Sequence, residues 1–223
     1  MTVEPPSVAP PPSSKRCRRR VAILLFDDVE VLDFAGPFEV FGVARTTDGG
    51  PAFEVVTTAL QAGEVVARND LRVVPTCTTS DLTDVDILVV PGGLGTRREM
   101  TRPAMLDFLR TASSSADLML SVCTGALLLG AAGLLEGRSA TTHWGAIGEL
   151  RALDSGAEIL PEARIVDNGR LIVSAGVSAG IDAALYIVSR LLGGELAEQT
   201  ARYMQYEWTC HQVDGRKVVK IEP

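Results

Sequence analysis

Short, almost wholly apolar runs recur along this chain, and stretches that read as helix separate them. VAILLF (21–26), DILVV (86–90) and LMLSV (118–122) are too short for ordinary helices and lack the alternation of a strand with one wet face. Such runs suit strands buried on both sides, as in a parallel sheet whose crossover helices cover it above and below. Residues 52–59 read as a further strand. Helices are expected from Pro37, whose fixed φ suits a first helical position, to about Arg45, and over 103–113, 124–135, 144–153, 178–192 and 195–208. Residues 64–67 and 71–74 flank Arg68-Asn69-Asp70 and read as a small hairpin, and Asp167-Asn168-Gly169 as a turn between β-like runs in 164–173. The expected fold is therefore α/β: a flavodoxin-like, doubly wound, mostly parallel sheet with helices on both faces and a small hairpin insertion. In such sheets the chemistry gathers at the carboxyl ends of the strands.

A chain of 223 residues can bury a full core as one domain, so it needs neither disulfide nor metal to fold. No apolar run approaches the ~18 residues of a membrane span, so no membrane partner is expected. Residues 1–20, MTVEPPSVAPPPSSKRCRRR, place a basic cluster after a Pro/Ser stretch, with no adjoining export-type cleavage site. The expected organisation is a disordered leader over 1–20, a single folded domain over 21–208 and a tail over 209–223, in the cytoplasm. The net charge is −7, yet the leader carries a surplus of +4, which leaves −11 on the body. An acidic body repels phosphate backbones, so no nucleic-acid partner is expected. The basic cluster itself reads as a solvated tail, with contact to RNA or DNA as the alternative.

The four cysteines, Cys17, Cys77, Cys123 and Cys210, lie far apart and form no zinc-ligand spacing. Cys123 differs from the others in context. It stands between a buried strand and a helix in Ser121-Val122-Cys123-Thr124-Gly125, and Gly125 lets the backbones approach. A helix start there would favour the thiolate; a buried, inert thiol is the competing reading. Pro91-Gly92-Gly93 at a neighbouring strand end favours the functional one. Its backbone N–H groups, with that of Thr124, would form an oxyanion hole, although a plain turn would also accept these residues. Asp33, between Leu32 and Phe34, either caps a helix or points into the crevice. In the crevice, burial and the thiolate would raise its pKa and let it manage a proton. His143 either pairs with the sulfur or serves structure, a choice that spacing leaves open. His211 reads as incidental.

The segments LDFAGPFEVF (32–41), VPGG (90–93), VCTGALLLGAAGLLEGRSATTHW (122–144) and SAGVSAGIDAAL (174–185) resemble the DJ-1/PfpI superfamily, in the branch that contains isonitrile hydratase. The resemblance runs from about Val21 to Trp208. It implies Cys123 as nucleophile, Thr124 beside it, Asp33 as acid/base partner, Gly92 and Gly93 as backbone donors, and His143 as a second-tier candidate. It also implies a homodimer and no metal or organic cofactor. Thr124 stands where the peptidase-like branch has His, and Asp33 where the chaperone- and glyoxalase-like branches have Glu.

The implied reaction is hydration of a small-molecule isocyanide to an N-substituted formamide through a thioimidate on Cys123. The alternatives are a non-catalytic ligand-binding or redox-sensing domain, or glyoxalase/deglycase-like aldehyde chemistry at the same thiol. The domain also resembles the sensor half of AraC-type regulators. The short stretch after the last expected helix leaves no room for a DNA-binding region, which argues against that role.

Overall fold

The computed structural model describes residues 18–208 and the backbone of 218–219. Residues 1–17, with Cys17, and Cys210 and His211 lie outside the described residues. The strands are β1 (Arg19–Leu24), β2 (Phe53–Ala59), β3 (Val65–Val66), β4 (Arg72–Val73), β5 (Cys77–Thr78), β6 (Ile87–Val90), β7 (Leu118–Val122), β8 (Ser139–Ala140), β9 (Glu158–Ile159), β10 (Ile165–Asp167), β11 (Leu171–Ser174) and β12 (Val218–Val219). The α-helices are α1 (Val31–Val43), α2 (Thr96–Glu99), α3 (Pro103–Ser115), α4 (Gly125–Ala131), α5 (Ile147–Ala152), α6 (Ala179–Leu192) and α7 (Gly194–Tyr203).

The central sheet runs β12-β10-β11-β7-β6-β1-β2-β5. Its parallel core, β2-β1-β6-β7-β11, follows the doubly wound flavodoxin-like order, and β5 extends it in parallel beyond β2. β10 and β12 continue it antiparallel at the other edge. Every side chain of β6, β7 and β11 is buried, as are Val21 to Leu24 of β1. Arg19 and Arg20, read as the end of a disordered leader, instead open β1, where pairing with β2 and the Arg20–Glu54 salt bridge at 2.9 Å hold them. α1 packs on α6 and α7, while α4 packs on α2, α3 and α5, so each face of the sheet has its helical layer. The expected hairpin is present as the antiparallel β3–β4 pair, with Asn69 and Asp70 both at positive φ in its turn.

Four helix boundaries differ from the sequence reading. α7 ends at Tyr203, short of Trp208, because Gln205 at φ +51° closes it, with Tyr206 N–H donating to Ala201 O. α1 starts at Val31, and Pro37 lies inside it rather than at its start. The buried residues Asp33, Phe34, Gly36, Pro37, Val40 and Phe41 form one helical stripe, and that stripe carries the helix past the missing proline donor. α4 ends at Ala131, short of Leu135. Gly133, at φ +76°, closes it with bonds from Gly133 N–H to Gly130 O and from Leu134 N–H to Leu129 O, the Schellman pattern. The expected 144–153 helix is a tight turn over Trp144–Ala146 followed by α5. Four short features had no counterpart in the reading: β5, α2, the parallel β8–β9 pair, and β12 within the stretch read as a polar tail.

The line of strands β1, β6, β7 and β11 carries the core that places the site, and Leu120 at its centre is fully buried. Leu120→Ala is expected to lower unfolding free energy by about 2–5 kcal/mol in urea titration. A cost near zero would mean that β7 is not part of the cooperative core.

Candidate active site

Asp33, Gly92-Gly93 and Cys123 follow β1, β6 and β7, three neighbouring strands, and so converge at their carboxyl ends. The chain leaves β7 through a sharp elbow in which Cys123 takes φ +57°, a left-handed conformation uncommon for a residue with a Cβ. Cys123 N–H still donates to Ala175 O at 3.0 Å, and its carbonyl accepts Thr142 Oγ1–H at 2.7 Å. Two residues on, the start of α4 presses against the end of β6. A Cβ on Gly125 would sit 2.2 Å from Val90 O, so no side chain fits there.

The two glycines are wedged as tightly. A Cβ on Gly92 would lie 2.4 Å from Thr124 N and 2.9 Å from Asp33 Oδ2, and one on Gly93 would lie 2.3 Å from Asp28 O. Their N–H groups, however, do not point into an open crevice as the oxyanion-hole reading expects. Gly92 N–H donates to Asp33 Oδ2 at 2.9 Å, and Gly93 N–H donates to Thr124 Oγ1 at 2.9 Å. The Thr124 hydroxyl in turn donates to Gly93 O at 3.1 Å. In this arrangement the glycines hold the carboxylate and the threonine, and those two side chains occupy the donors.

Asp33 does not cap α1. It sits in the first turn with its side chain turned inward, fully buried, with Oδ1 unpartnered among the described residues. Burial pushes its pKa from 3.8 up to about 7, with a further push from Glu30. The Gly92 and Val177 N–H groups and the Cys123 thiol oppose the rise. Cys123 is only 5% exposed, so the thiol is buried, as the competing reading has it, yet it lies beside a titratable carboxyl. The thiolate is not favoured. Burial, followed by the charge of Asp33, pushes the thiol up to about 12, outweighing the Thr124 and Val177 N–H groups that face the sulfur. A seven-residue helix such as α4 offers little dipole to oppose desolvation. One buried negative charge is tolerated here and two are not, so near neutral pH the sulfur keeps its proton and the carboxyl is the group that titrates.

His143 stands slightly apart from this pair. Its Nδ1 accepts Gly145 N–H at 3.2 Å and its ring lies 5.3 Å from that of Trp144. It also lies against Gly176, where a Cβ would come within 2.3 Å of Cδ2. The imidazole thus supports the turn before α6. Two residues that sequence reasoning did not single out touch the site. Thr142 holds the Cys123 carbonyl, and its neighbour His143 drew the attention in Thr141-Thr142-His143. The Val177 N–H lies close enough to lower the pKa of both Asp33 and Cys123, at φ +51°, a strained setting for a β-branched residue. Only the segment 174–180 marked it in the sequence.

Comparison with known proteins places the chain in a family. The profile of the DJ-1/PfpI family matches residues 19–190. The chain belongs to the DJ-1/PfpI family. Isonitrile hydratase of Pseudomonas putida is 35% identical over 187 residues, 84% of this chain and 78% of that enzyme. The HTH-type transcriptional regulator GbdR of Pseudomonas aeruginosa is 27% identical over 98% of this chain, which spans 58% of the regulator's length. A ThiJ/PfpI family protein from Pseudomonas syringae superposes with a TM-score of 0.77 at 32% identity, over 89% of this chain and 79% of that one. The family thus holds an enzyme and DNA-binding regulators. Among the described residues no helix is long and apolar enough to cross a membrane.

A carboxyl raised from 3.8 to about 7 favours the folded state in its neutral form. Its contribution is present in full below about pH 4 and is lost as pH rises through about 7. Asp33→Asn, neutral throughout, is therefore expected to match the wild type near pH 4 and to exceed it near pH 8 by on the order of 4 kcal/mol. Urea unfolding at the two pH values measures this, and parallel pH dependences would show that Asp33 carries no such burden.

Proposed function

We propose that this protein is an isonitrile hydratase-like, cysteine-dependent hydro-lyase. It would convert a small isocyanide, R–N≡C, and water into the formamide R–NH–CHO. The observation that carries this reading is the buried Asp33 carboxyl beside the Cys123 thiol, poised to titrate at about 7. A base with that pKa can take a proton at neutral pH and return it, as each step here requires.

Sulfur attacks the terminal carbon while Asp33 takes the thiol proton and delivers it to that carbon. The product is the thioimidate R–N=CH–S, with the thiol hydrogen now on carbon. Transfer through Asp33 answers the high pKa of the thiol, because no free thiolate accumulates. The Thr124 and Val177 N–H groups, which already face the sulfur, stabilise charge there as it develops. Water then adds to the thioimidate carbon, Asp33 taking one of its protons and passing it to nitrogen. Collapse of the tetrahedral adduct expels the sulfur, which regains a proton through Asp33. Gly92 and Gly93 act by holding Asp33 and Thr124, and His143 by supporting the turn that carries Val177. No metal or organic cofactor enters these steps.

Leu94 and Trp144, exposed at 57% and 82%, directly follow Gly93 and His143 in the chain, which supports an apolar R group. A cytoplasmic location and a homodimer belong to the same reading and rest on likeness to the family. The redox-sensor alternative draws less support, since a thiol pushed up to about 12 and nearly buried offers little thiolate to peroxide.

Incubation with cyclohexyl isocyanide is expected to yield N-cyclohexylformamide by mass spectrometry. Cys123→Ala should abolish turnover, and Asp33→Asn should lower kcat by about 100-fold or more. Absence of product from the wild type, or undiminished product from Cys123→Ala, would remove the hydratase reading. Turnover of methylglyoxal instead would move the thiol to aldehyde chemistry.

A further inference from the structure

The Val177 peptide is held in place from outside the site. Gly176-Val177-Ser178 joins β11 to α6, and a β-branched residue at φ +51° relaxes unless its neighbours are fixed on both sides. Arg164, just before β10, grips both sides. Its carbonyl accepts Ala175 N–H at 2.8 Å, ahead of the turn. Beyond the turn its guanidinium donates from Nη2 to Ser178 Oγ at 3.2 Å and from Nε to Asp182 Oδ2 at 2.6 Å. Asp182 is itself buried in the first turn of α6, and its other oxygen accepts Tyr206 O–H at 2.9 Å. The planar guanidinium fork can reach a hydroxyl and a carboxylate at once, which an ammonium on a flexible stem does less well.

We propose that Arg164 is a positioning residue of the Cys123 site: through Ser178 and Asp182 it clamps the strained Val177 turn so that the Val177 N–H stays aimed at Asp33 and Cys123. It touches neither reacting atom. The proposal rests on Cys123 and Asp33 being the reactive pair, and deepens the hydratase reading without requiring that particular substrate. The same segment meets the elbow directly, since Ala175 O accepts Cys123 N–H at 3.0 Å. When the clamp loosens, the Val177 N–H moves away from sulfur and carboxyl and its lowering of both pKa values weakens. The other charged group bearing on the pair is Glu30, which raises the Asp33 pKa and makes no hydrogen bond or ion pair with Arg164 or Ser178 among the described residues.

The test reads the thiol directly, by the rate of carbamidomethylation of Cys123 with iodoacetamide, followed by peptide mass across about pH 7 to 11. Ser178→Ala removes one arm of the clamp and leaves the Arg164–Asp182 pair intact, and Arg164→Lys keeps the charge but not the fork. Both are expected to slow alkylation at a given pH by roughly 3- to 10-fold, the worth of one hydrogen bond, and to move the profile to higher pH. Arg190→Gln serves as comparison, because it breaks the Arg190–Asp167 pair at the other end of α6, 2.9 Å long, and bears only on stability. It should lower Tm and leave the profile where it is. Unshifted profiles in both Ser178→Ala and Arg164→Lys would overturn the proposal, as would an equal shift in Arg190→Gln. A shifted profile in a protein that turns over no isocyanide would uphold the clamp and remove only the hydratase reading.

Discussion

A single carboxyl group, taken out of water and set beside a thiol, governs this end of the molecule. Desolvation is the largest influence on both Asp33 and Cys123; the charge of Asp33 pushes the thiol further up, while the thiol eases the rise of the carboxyl. The fold bears this cost because Asp33 lies on the buried stripe of α1, a position that would otherwise hold an apolar side chain. Backbone donors offset part of it: Gly92 N–H on one carboxylate oxygen, and Val177 N–H between carboxyl and sulfur. A group burdened in this way is a poor stabiliser of the fold and a good carrier of protons, a trade common at functional sites.

The remaining architecture can be traced to the need to bring three strand ends within reach of one another. Parallel pairing in the order β1-β6-β7 sets those ends side by side. The loop after β1 is tied to the end of β6 by Glu30 N–H to Gly92 O and by the Val29–Gly93 bridge. The start of α4 is tied to it by the mutual bonds of Thr124 and Gly93. The hydroxyl of Thr124 thus joins two loops that the sheet alone would leave as neighbours.

Most of the fold was legible because both-sides-buried strands leave unbroken apolar runs, and VAILLF, DILVV and LMLSV could hardly be anything else. The start of α1 was misread because Pro37 is a strong local signal, whereas the stripe that overrides it includes an aspartate and a glycine and so looks polar in sequence. The residues at the centre of the site were legible as strand-end features, but their electrostatics were not. A helix start beside Cys123 suggested an acidic thiol; Gly133, which cuts α4 short, was passed over in an apolar run, and nothing in the local sequence says that Asp33 brings charge into a dry pocket. Val177 was hidden for a related reason: its role lies in its peptide N–H and an unusual φ, and neither belongs to the side chain that sequence records. Arg164 was further still from view, since its bearing on the site passes through Ser178 and Asp182, far away along the chain.

Gly92, Gly93 and Gly125 each stand where any Cβ would collide with main-chain atoms. The cradle is thus specified by missing side chains, and every substitution there is forbidden on steric grounds whatever its chemistry. Natural drift or laboratory evolution toward a different substrate must therefore leave the cradle alone and act on residues outside it, such as the solvent-exposed Leu32, Leu94 and Trp144. A frozen interior under a changeable surface is a design that can acquire new specificities without relearning its chemistry.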